Sequence, residues 1–530
     1  MQRVCCSALG TYRTDCYAFS VNFFALILTI LAMGAGSISL ESPTAWEELS
    51  RTSVVLLILA ASLLIFRKLK GIASKQKDLN LPPRLPSKIP FLGSAIEFDK
   101  NPITFLKNAY DKYGDVFSFT MVGQTFTYLI GPDASALLLN SKNDQLNAEE
   151  VYANITVPVF GKGVVFDVPN PLFLEQKKIL KTGVTSRQFR KHVPLITKEA
   201  QEYFKRWGDK GETDLCVAVS QLLVLTTSSC LHGKEIRSML DERVAQLYAD
   251  LESGFNTLGW LFPPWVPFPS FLTRDRAHRE LKKIFYKAIK QRRESQEEEE
   301  EDDMLQVLID TKYKNGKHLT DEEIAGLCIA LLMAGQSTTT TTSSWLGFFL
   351  AQNKQVQESC YEEQQRICGA DPEYIPDYDE TMQMTYLDRC VKEALRLRAP
   401  IPTMLRLAKV PLSYRGYTIP PGHTVCVSPI VNQCLDENWS PDPNAFNPDR
   451  FLDESTLKSD NFNFIPFGAG RHRCIGEHFA QLQMKTIWSV LLRKFEFDLV
   501  DGQFPPTNYA TMIHKPINPN IRYQLRQKSQ

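Results

Sequence analysis

Hydrophobic positions fall into two regimes along this chain. Near the amino terminus they are contiguous. Residues 18–40 run for 23 positions without a charge, and residues 53–66 form a shorter apolar run of 14 that stops at Arg67, Lys68, Lys70, Lys75 and Lys77. About 20 apolar residues cross a bilayer, so the first run is long enough for a span. Small residues near its end (Ala32, Gly34, Ala35, Gly36) also suit a cleavable leader, but the apolar core is longer than a leader needs. The expectation is a membrane anchor of one or two spans, with the basic cluster and all that follows on the cytosolic side. From about residue 100 the apolar positions become periodic. Helical spacing predicts helices over 103–113, 174–180, 196–207, 217–230, 244–251, 279–293, 321–350, 354–367, 388–396 and 477–495. Strand-like pieces are short: 116–119, 125–130, 412–414 and 424–428. Helices without regular βαβ alternation argue against a doubly wound sheet and for a mainly α body with small β-sheets.

Breaks in the pattern set the organisation. Residues 81–90 hold Pro82, Pro83, Pro86 and Pro90, which forbid a helix and predict a stiff extended segment. The acidic run 296–303 reads as a solvated interhelical loop. No later stretch divides the body and no internal repeat appears. The expected layout is an anchor over 1–70, a basic and Pro-rich hinge over 71–90, and one large domain over 91–530.

Composition narrows the chemistry. Sixty Lys and Arg balance sixty Asp and Glu, so no general basic field exists to hold a nucleic-acid backbone. Twelve Cys are scattered without any Cys-x-x-Cys, which leaves a zinc ribbon and a redox dithiol unsupported. One cysteine stands out. Phe467-Gly-Ala-Gly-Arg-His-Arg-Cys-Ile-Gly476 is a Gly-rich turn just ahead of the helical pattern 477–495. Such a turn lets backbone approach a flat, bulky group and directs N–H groups at the Cys474 sulfur. The positive end of the following helix, with Arg471, His472 and Arg473, favours the thiolate. A buried structural cysteine is the bland reading of the same residue.

The spacing Phe467-x-x-Gly470-x-His472-x-Cys474-x-Gly476 resembles the haem-binding loop of the cytochrome P-450 monooxygenases, and two upstream elements stand in that family's order. Glu393-Ala-Leu-Arg396 matches the family's Glu-x-x-Arg, and Phe446-Asn-Pro-Asp-Arg450-Phe451 matches the stretch whose Arg closes a buried ion-pair network on it. Met333-Ala-Gly-Gln-Ser-Thr338 matches the oxygen-activation signature. The segments 152–167, 173–178 and 420–429 look like those of the sterol 14α-demethylases, the animal ones above all, over roughly residues 90–526.

This resemblance implies a mainly helical cytochrome P-450 fold, haem b with its iron on Cys474, dioxygen as co-substrate and electrons from NADPH–cytochrome P-450 reductase. It also implies a sterol substrate and anchoring in the endoplasmic-reticulum membrane with a cytosolic catalytic domain. It implies three successive oxygenations of the sterol 14α-methyl group, ending in formate and a 14,15 double bond. Matched residue by residue, Tyr152, Lys177, Arg406 and His472 would hold haem propionates. Phe467, Gly470 and Gly476 would shape the loop, and Thr338 beside Ser337 would serve oxygen activation. Phe160, Phe255, Leu332, Ile401 and Thr403 would line the substrate pocket. Departures stand at four places. Phe166 replaces a Tyr, Ser337 a His, Thr257 a His, and Pro402-Thr403 an apolar pair. Glu252 holds the position of the acidic partner of the missing His and is expected to be without its cation. The second reading is therefore a diverged relative hydroxylating another sterol or triterpenoid. The third is a membrane-tethered haem protein that binds sterol without turnover.

Overall fold

The computed structural model describes residues 79–527 except 88, 90–91, 241, 295–302 and 454–461. Both N-terminal apolar runs, and the acidic run up to residue 302, lie outside the described residues. From Asn80 onward the chain forms one compact unit.

Its axis is the helix Asp321–Gln352, 32 residues long. Thr320 and Glu323 start it with a reciprocal capping box, side chain to backbone in both directions. Residues 338–342 are all Thr, a composition that costs χ1 freedom in a helix. Thr338, Thr341 and Thr342 turn their hydroxyls back onto the carbonyls of Ala334, Ser337 and Thr338 at 2.7, 3.0 and 3.0 Å. This spends the donors locally and lets the polar run lie inside the protein. The helix is apolar at both ends. Ile324 to Met333 belong to one hydrophobic core with the helices Glu242–Glu252 and Pro269–Glu294. Trp345 to Ala351 belong to another with the helices Leu215–Leu231 and Glu477–Lys494. The polar middle, 334–344, thus falls between two cores. Gly347 lets the three helices cross, because a Cβ there would stand 2.5 Å from Leu215 and 2.8 Å from Trp488.

A five-stranded mixed sheet lies to one side. Its order is Val116–Met121, Gln124–Leu129, Thr424–Val427, Met404–Ala408, Leu146–Asn147. The pair Gln124–Leu129 and Thr424–Val427 is parallel and the other pairs are antiparallel. The Pro-rich segment is extended, as its prolines require, and lies along this sheet. Ser118 donates to Pro83 O and Leu85 donates to Ser118 O, both at 2.8 Å. A three-stranded antiparallel sheet joins Lys210–Asp214, Asn520–Leu525 and Phe495–Leu499. The hairpin Leu412–Tyr414 and Tyr417–Ile419 turns on Arg415 and Gly416, both at positive φ.

The expected helices are all present, with shifted ends. The helix expected over 196–207 spans Ser186–Phe204, with Pro194 inside it, and the one expected over 279–293 begins at Pro269. Helix Glu149–Phe160 and strand Met404–Ala408 were not expected, and both carry residues of the site.

Candidate functional site

Cys474 lies in the loop that enters the helix Glu477–Lys494. The loop closes on itself, since the Cys474 N–H donates to Phe467 O at 2.9 Å and the Arg473 N–H to Gly470 O at 3.1 Å. Gly468 and Gly470 have φ of +66° and +63°, a region that favours glycine. At Gly470 a Cβ would also run into the carbonyl of Leu139, so the tight turn has a steric cause. Phe467 packs on the core behind the loop. A Cβ on Gly476 would be 3.9 Å from the Cys474 sulfur, so this glycine faces the thiol.

Cys474 is the one exposed cysteine among the described residues. Burial is nevertheless the strongest influence on its thiol and raises its pKa, so the surface it shows is that of an internal hollow. Backbone N–H groups of Gly476 and Glu477, and the Lys177 ammonium, pull the other way. This revises the expected electrostatics. The N–H groups do aim at sulfur, but Arg473 is engaged with Glu477 at 2.9 Å and His472 is held neutral. Burial outweighs them and favours the thiol, and a metal bound to the sulfur would favour the thiolate.

The polar middle of the long helix also keeps accessible surface inside the protein. Ala334 is exposed, and Leu331, Gly335 and Thr338 are partly exposed, although the helix runs through the interior. These positions follow the i, i+3, i+4, i+7 spacing of one helical face. Leu332, expected to line the pocket, has no accessible surface and packs into the core. It is one residue, or about 100° of helix, out of phase with the exposed stripe, on which Leu331 lies instead. Ser337 is also buried, and its hydroxyl has no hydrogen-bond partner. Phe160 and Phe255 meet with ring centroids 6.2 Å apart and pack on the same apolar cluster as Leu331 and Ile475, the neighbour of Cys474. Ile401 and Thr403 are partly exposed, and the Thr403 hydroxyl is 3.2 Å from that of Tyr128.

Cations gather on a third side. Arg406, on the strand Met404–Ala408, is 5% exposed, and its guanidinium bonds Leu405 O. The Tyr152 hydroxyl, on the helix Glu149–Phe160, accepts from the Leu405 N–H at 3.1 Å. Burial, then the charges of Arg406, Lys177 and Arg471, push the His472 pKa down to about 3. Both of its ring nitrogens are buried without a partner. Lys177 donates to the carbonyls of Arg471 and Arg473, both at 2.6 Å, so it braces the cysteine loop as well as charging it. The Phe166 ring fills the place of the family's Tyr in a column. Tyr152, Phe166 and Phe173 are stacked at 5.0 and 5.5 Å, and Phe173 reaches His472 at 5.2 Å.

Three cations around an unpartnered neutral histidine call for an anion. A cysteine in a hollow walled by glycines, apolar rings and a helix calls for a flat apolar body. Haem, with an iron for the sulfur and two carboxylates for the cations, fits both demands.

Behind the loop, Glu393 and Arg396 of the helix Thr385–Leu397 form a fully buried pair with contacts of 2.7 and 2.8 Å. The Arg450 guanidinium stands 3.4 Å from the same carboxylate. Arg396 also donates to the carbonyls of Gln433, Pro443 and Ala445. The expected three-residue network therefore forms. Glu252 does not lack a cation, contrary to expectation: Lys515 Nζ is 2.7 Å from its carboxylate.

The comparisons with known proteins agree with this geometry. Residues 83–525 match the cytochrome P-450 family model. The lanosterol 14-alpha demethylase of Mus musculus is 59% identical over 84% of this chain and 88% of its own length. That of Homo sapiens is 59% identical over 84% and 87%, and that of Macaca fascicularis 55% identical over 95% and 99%. Among solved structures, retinoic acid-bound cyanobacterial CYP120A1 shares the fold, with a TM-score of 0.74 at 23% identity, over 85% of this chain and all of that one. With its cysteine loop, buried Glu–Arg–Arg network and central helix in this arrangement, the chain belongs to the cytochrome P-450 family of haem-thiolate monooxygenases.

Proposed function

We propose that this protein is a sterol 14α-demethylase, removing the 14α-methyl group of a lanosterol-like sterol. The observation that carries the reading is the accessible Cys474 with the accessible stripe Leu331, Ala334, Gly335 and Thr338 on an otherwise buried helix, in a chain 55–61% identical to animal lanosterol 14-alpha demethylases. Haem b, held by Cys474, would supply dioxygen binding and oxygen transfer to an unactivated C–H bond. Arg406, His472, Tyr152 and Lys177 would hold its propionates. His472 is suited to this because it is neutral with a ring N–H unspent, and Arg406 because it is buried and charged. Phe160, Phe255, Leu331 and Ile401 would enclose an apolar polycyclic ring system and exclude water, with Thr403 as a polar point in the wall. Thr338 would present its hydroxyl on the oxygen side. Each of three oxygenations consumes one dioxygen, two electrons and two protons. The methyl carbon passes through alcohol and aldehyde and leaves as formate, and the sterol gains a 14,15 double bond.

The electrons would come from NADPH through its cytochrome P-450 reductase. The membrane would be the endoplasmic reticulum, with residues 1–70 as anchor, 71–90 as hinge and 91–530 as the cytosolic catalytic domain. An apolar surface supports bilayer contact. Trp265 and Leu272 are 67% and 58% exposed, and Ile89, Leu92, Ile96 and Leu258 are exposed too. Thr257 bonds Asp99 at 2.9 Å and so joins the two parts of this patch. The patch adjoins the start of the described body, next in sequence to the apolar runs 18–40 and 53–66.

The test is reconstitution with the reductase, NADPH and a panel of sterols, with products read by mass spectrometry. Formate and the 14,15-unsaturated sterol in equal amounts are expected. A stable monohydroxylated sterol or triterpenoid as the end product would establish the second reading, which the unpartnered Ser337 and the polar Thr403 favour. No turnover, with the haem-thiolate spectrum and sterol binding intact, would leave a sterol-binding haem protein.

A further inference from the structure

Phe255 owes its place to a contact made from far along the chain. It follows the helix Glu242–Glu252 by a tight turn, with the Phe255 N–H on Glu252 O at 2.8 Å. Its own carbonyl accepts from the Met512 N–H at 3.1 Å, and Asn256 pairs with Thr511 in an isolated antiparallel bridge. Met512 belongs to a loop folded back on itself. Thr507 bridges Pro516, the Asn508 N–H donates to Lys515 O at 2.8 Å, and the Ile517 N–H donates to Pro506 O at 2.8 Å. The loop is moored to the long helix, because the fully buried Trp345 donates its indole N–H to His514 O at 2.9 Å. One charged contact joins the moored loop to the helix end that leads into Phe255: Lys515 Nζ lies 2.7 Å from Glu252 Oε2. The Glu252 side chain is 7% exposed and that of Lys515 27%, so the pair is largely shielded from solvent.

We propose that Glu252 and Lys515 are positioning residues for the substrate cavity. Their ion pair holds the loop 505–517 against the turn 252–256, fixes Phe255 against Phe160 and so sets how fast the cavity opens to a bound ligand. A backbone bond and a two-residue bridge are weak by themselves at a loop edge. A charge-assisted bond is about twice as strong as a neutral one, and this one, largely shielded from solvent, is what holds the edge closed in the proposal. The pair has the geometry of a strap. It spans 263 positions of sequence, one end is moored on Trp345, and the other sits three residues from a ring that packs on the apolar cluster. The inference rests on the proposed reading of that cavity as the sterol site, but the strap is testable without it.

Two readouts on the full-length haem-loaded protein decide the matter. One is amide hydrogen exchange over 252–256 and 505–517. The other is the dissociation rate of a lanosterol-type sterol, followed by the haem spectral shift in stopped flow. Glu252→Gln and Lys515→Met should each speed exchange in both segments, and sterol release, by about tenfold, the scale of one lost charged hydrogen bond. The double exchange Glu252→Lys with Lys515→Glu re-forms the pair and should bring both readouts back toward the parent. Unchanged exchange in the single variants, or faster exchange that the double variant does not restore, overturns the proposal. A parent protein that shows no sterol-induced shift counts against the sterol reading alone, and the exchange data still decide the strap.

Discussion

Single side chains decide the chemistry at three places. Cys474 carries a thiol whose pKa burial raises, and an iron bound to the sulfur would stabilise its thiolate. Reduced, CO-bound protein should therefore show the red-shifted Soret band of thiolate ligation, and Cys474→His should lose that band while retaining haem. A wild-type spectrum of the histidine-ligated kind, from folded protein, would refute the ligand assignment. Phe166 lacks the hydroxyl of the family's Tyr but keeps the stack between Tyr152 and Phe173. Phe166→Tyr should therefore fold unchanged and add one donor beside the cation cluster. A hydrogen bond to a charged acceptor contributes about 1.5–3 kcal/mol, so haem transfer to an apo-globin acceptor should slow by about tenfold or more. An unchanged rate would place the propionates elsewhere. Ser337 is buried with an unpartnered hydroxyl and cannot titrate near neutral pH. Ser337→His should supply a titratable group, and peroxide formed per NADPH consumed should fall. Equal or greater leakage, with haem and substrate bound, would make Ser337 a pocket adaptation instead.

At the scale of elements, much was legible where structure is local. The long helices announce themselves by period, and the cysteine loop and Glu393-x-x-Arg396 by fixed spacing, because a turn or a helix face is set within ten residues of chain. Strand Met404–Ala408 was missed because five residues of Met-Leu-Arg-Leu-Ala carry no clear alternation, and with it went the reason the Arg406 charge acts on His472. Helix Glu149–Phe160 was missed because Pro158 reads as a breaker, yet it sits in the last turn. Leu332 was placed by resemblance and not by helical phase, which the stripe through Thr338 corrects. Packing at a distance leaves less trace still. The helix Thr385–Leu397 begins after Met384, which has no capping side chain. Glu363 of the helix Lys354–Cys368 caps it instead, accepting from the Tyr386 and Leu387 N–H groups at 2.7 and 3.0 Å. That helix presents the Glu393–Arg396 pair, so Glu363→Gln should cost about 1–3 kcal/mol and lower the thermal midpoint and the haem content together. Glu362→Gln, one residue away on the same helix, is the control. Equal loss in both variants would deny the cap its role.

The whole molecule has no net formal charge, so its response to pH comes from particular buried groups and not from overall repulsion. Three histidines far apart in sequence behave alike. His192, His232 and His514 are 4%, 0% and 5% exposed, and burial is the largest influence on each, lowering its pKa to about 4. His192 and His232 each keep one backbone hydrogen bond, which offsets part of the burial. In all three Nδ1 is buried without a partner. A folded state that prefers neutral imidazole binds fewer protons than the unfolded chain between the folded value near 4 and the ordinary value near 6.5. The stability these groups contribute is thus complete above about pH 6.5. It falls as the solution is acidified and is lost by about pH 4, with up to three protons taken up on unfolding by these groups and more by His423 and His472, which burial also keeps neutral. Each group contributes at most about 3.5 kcal/mol at full shift, since one pKa unit corresponds to about 1.4 kcal/mol. The thermal midpoint should therefore be flat from pH 8 to 7 and drop steeply from 6.5 to 4.5. His232→Gln keeps a donor for the Cys328 carbonyl, which lies 3.2 Å from Nε2, and removes one titrating group. It should lower the slope of the acid limb by about one proton while leaving the haem spectrum at pH 7.5 untouched. An acid limb equally steep in the variant would mean that His232 takes up no proton over this range and does not contribute to the loss of stability.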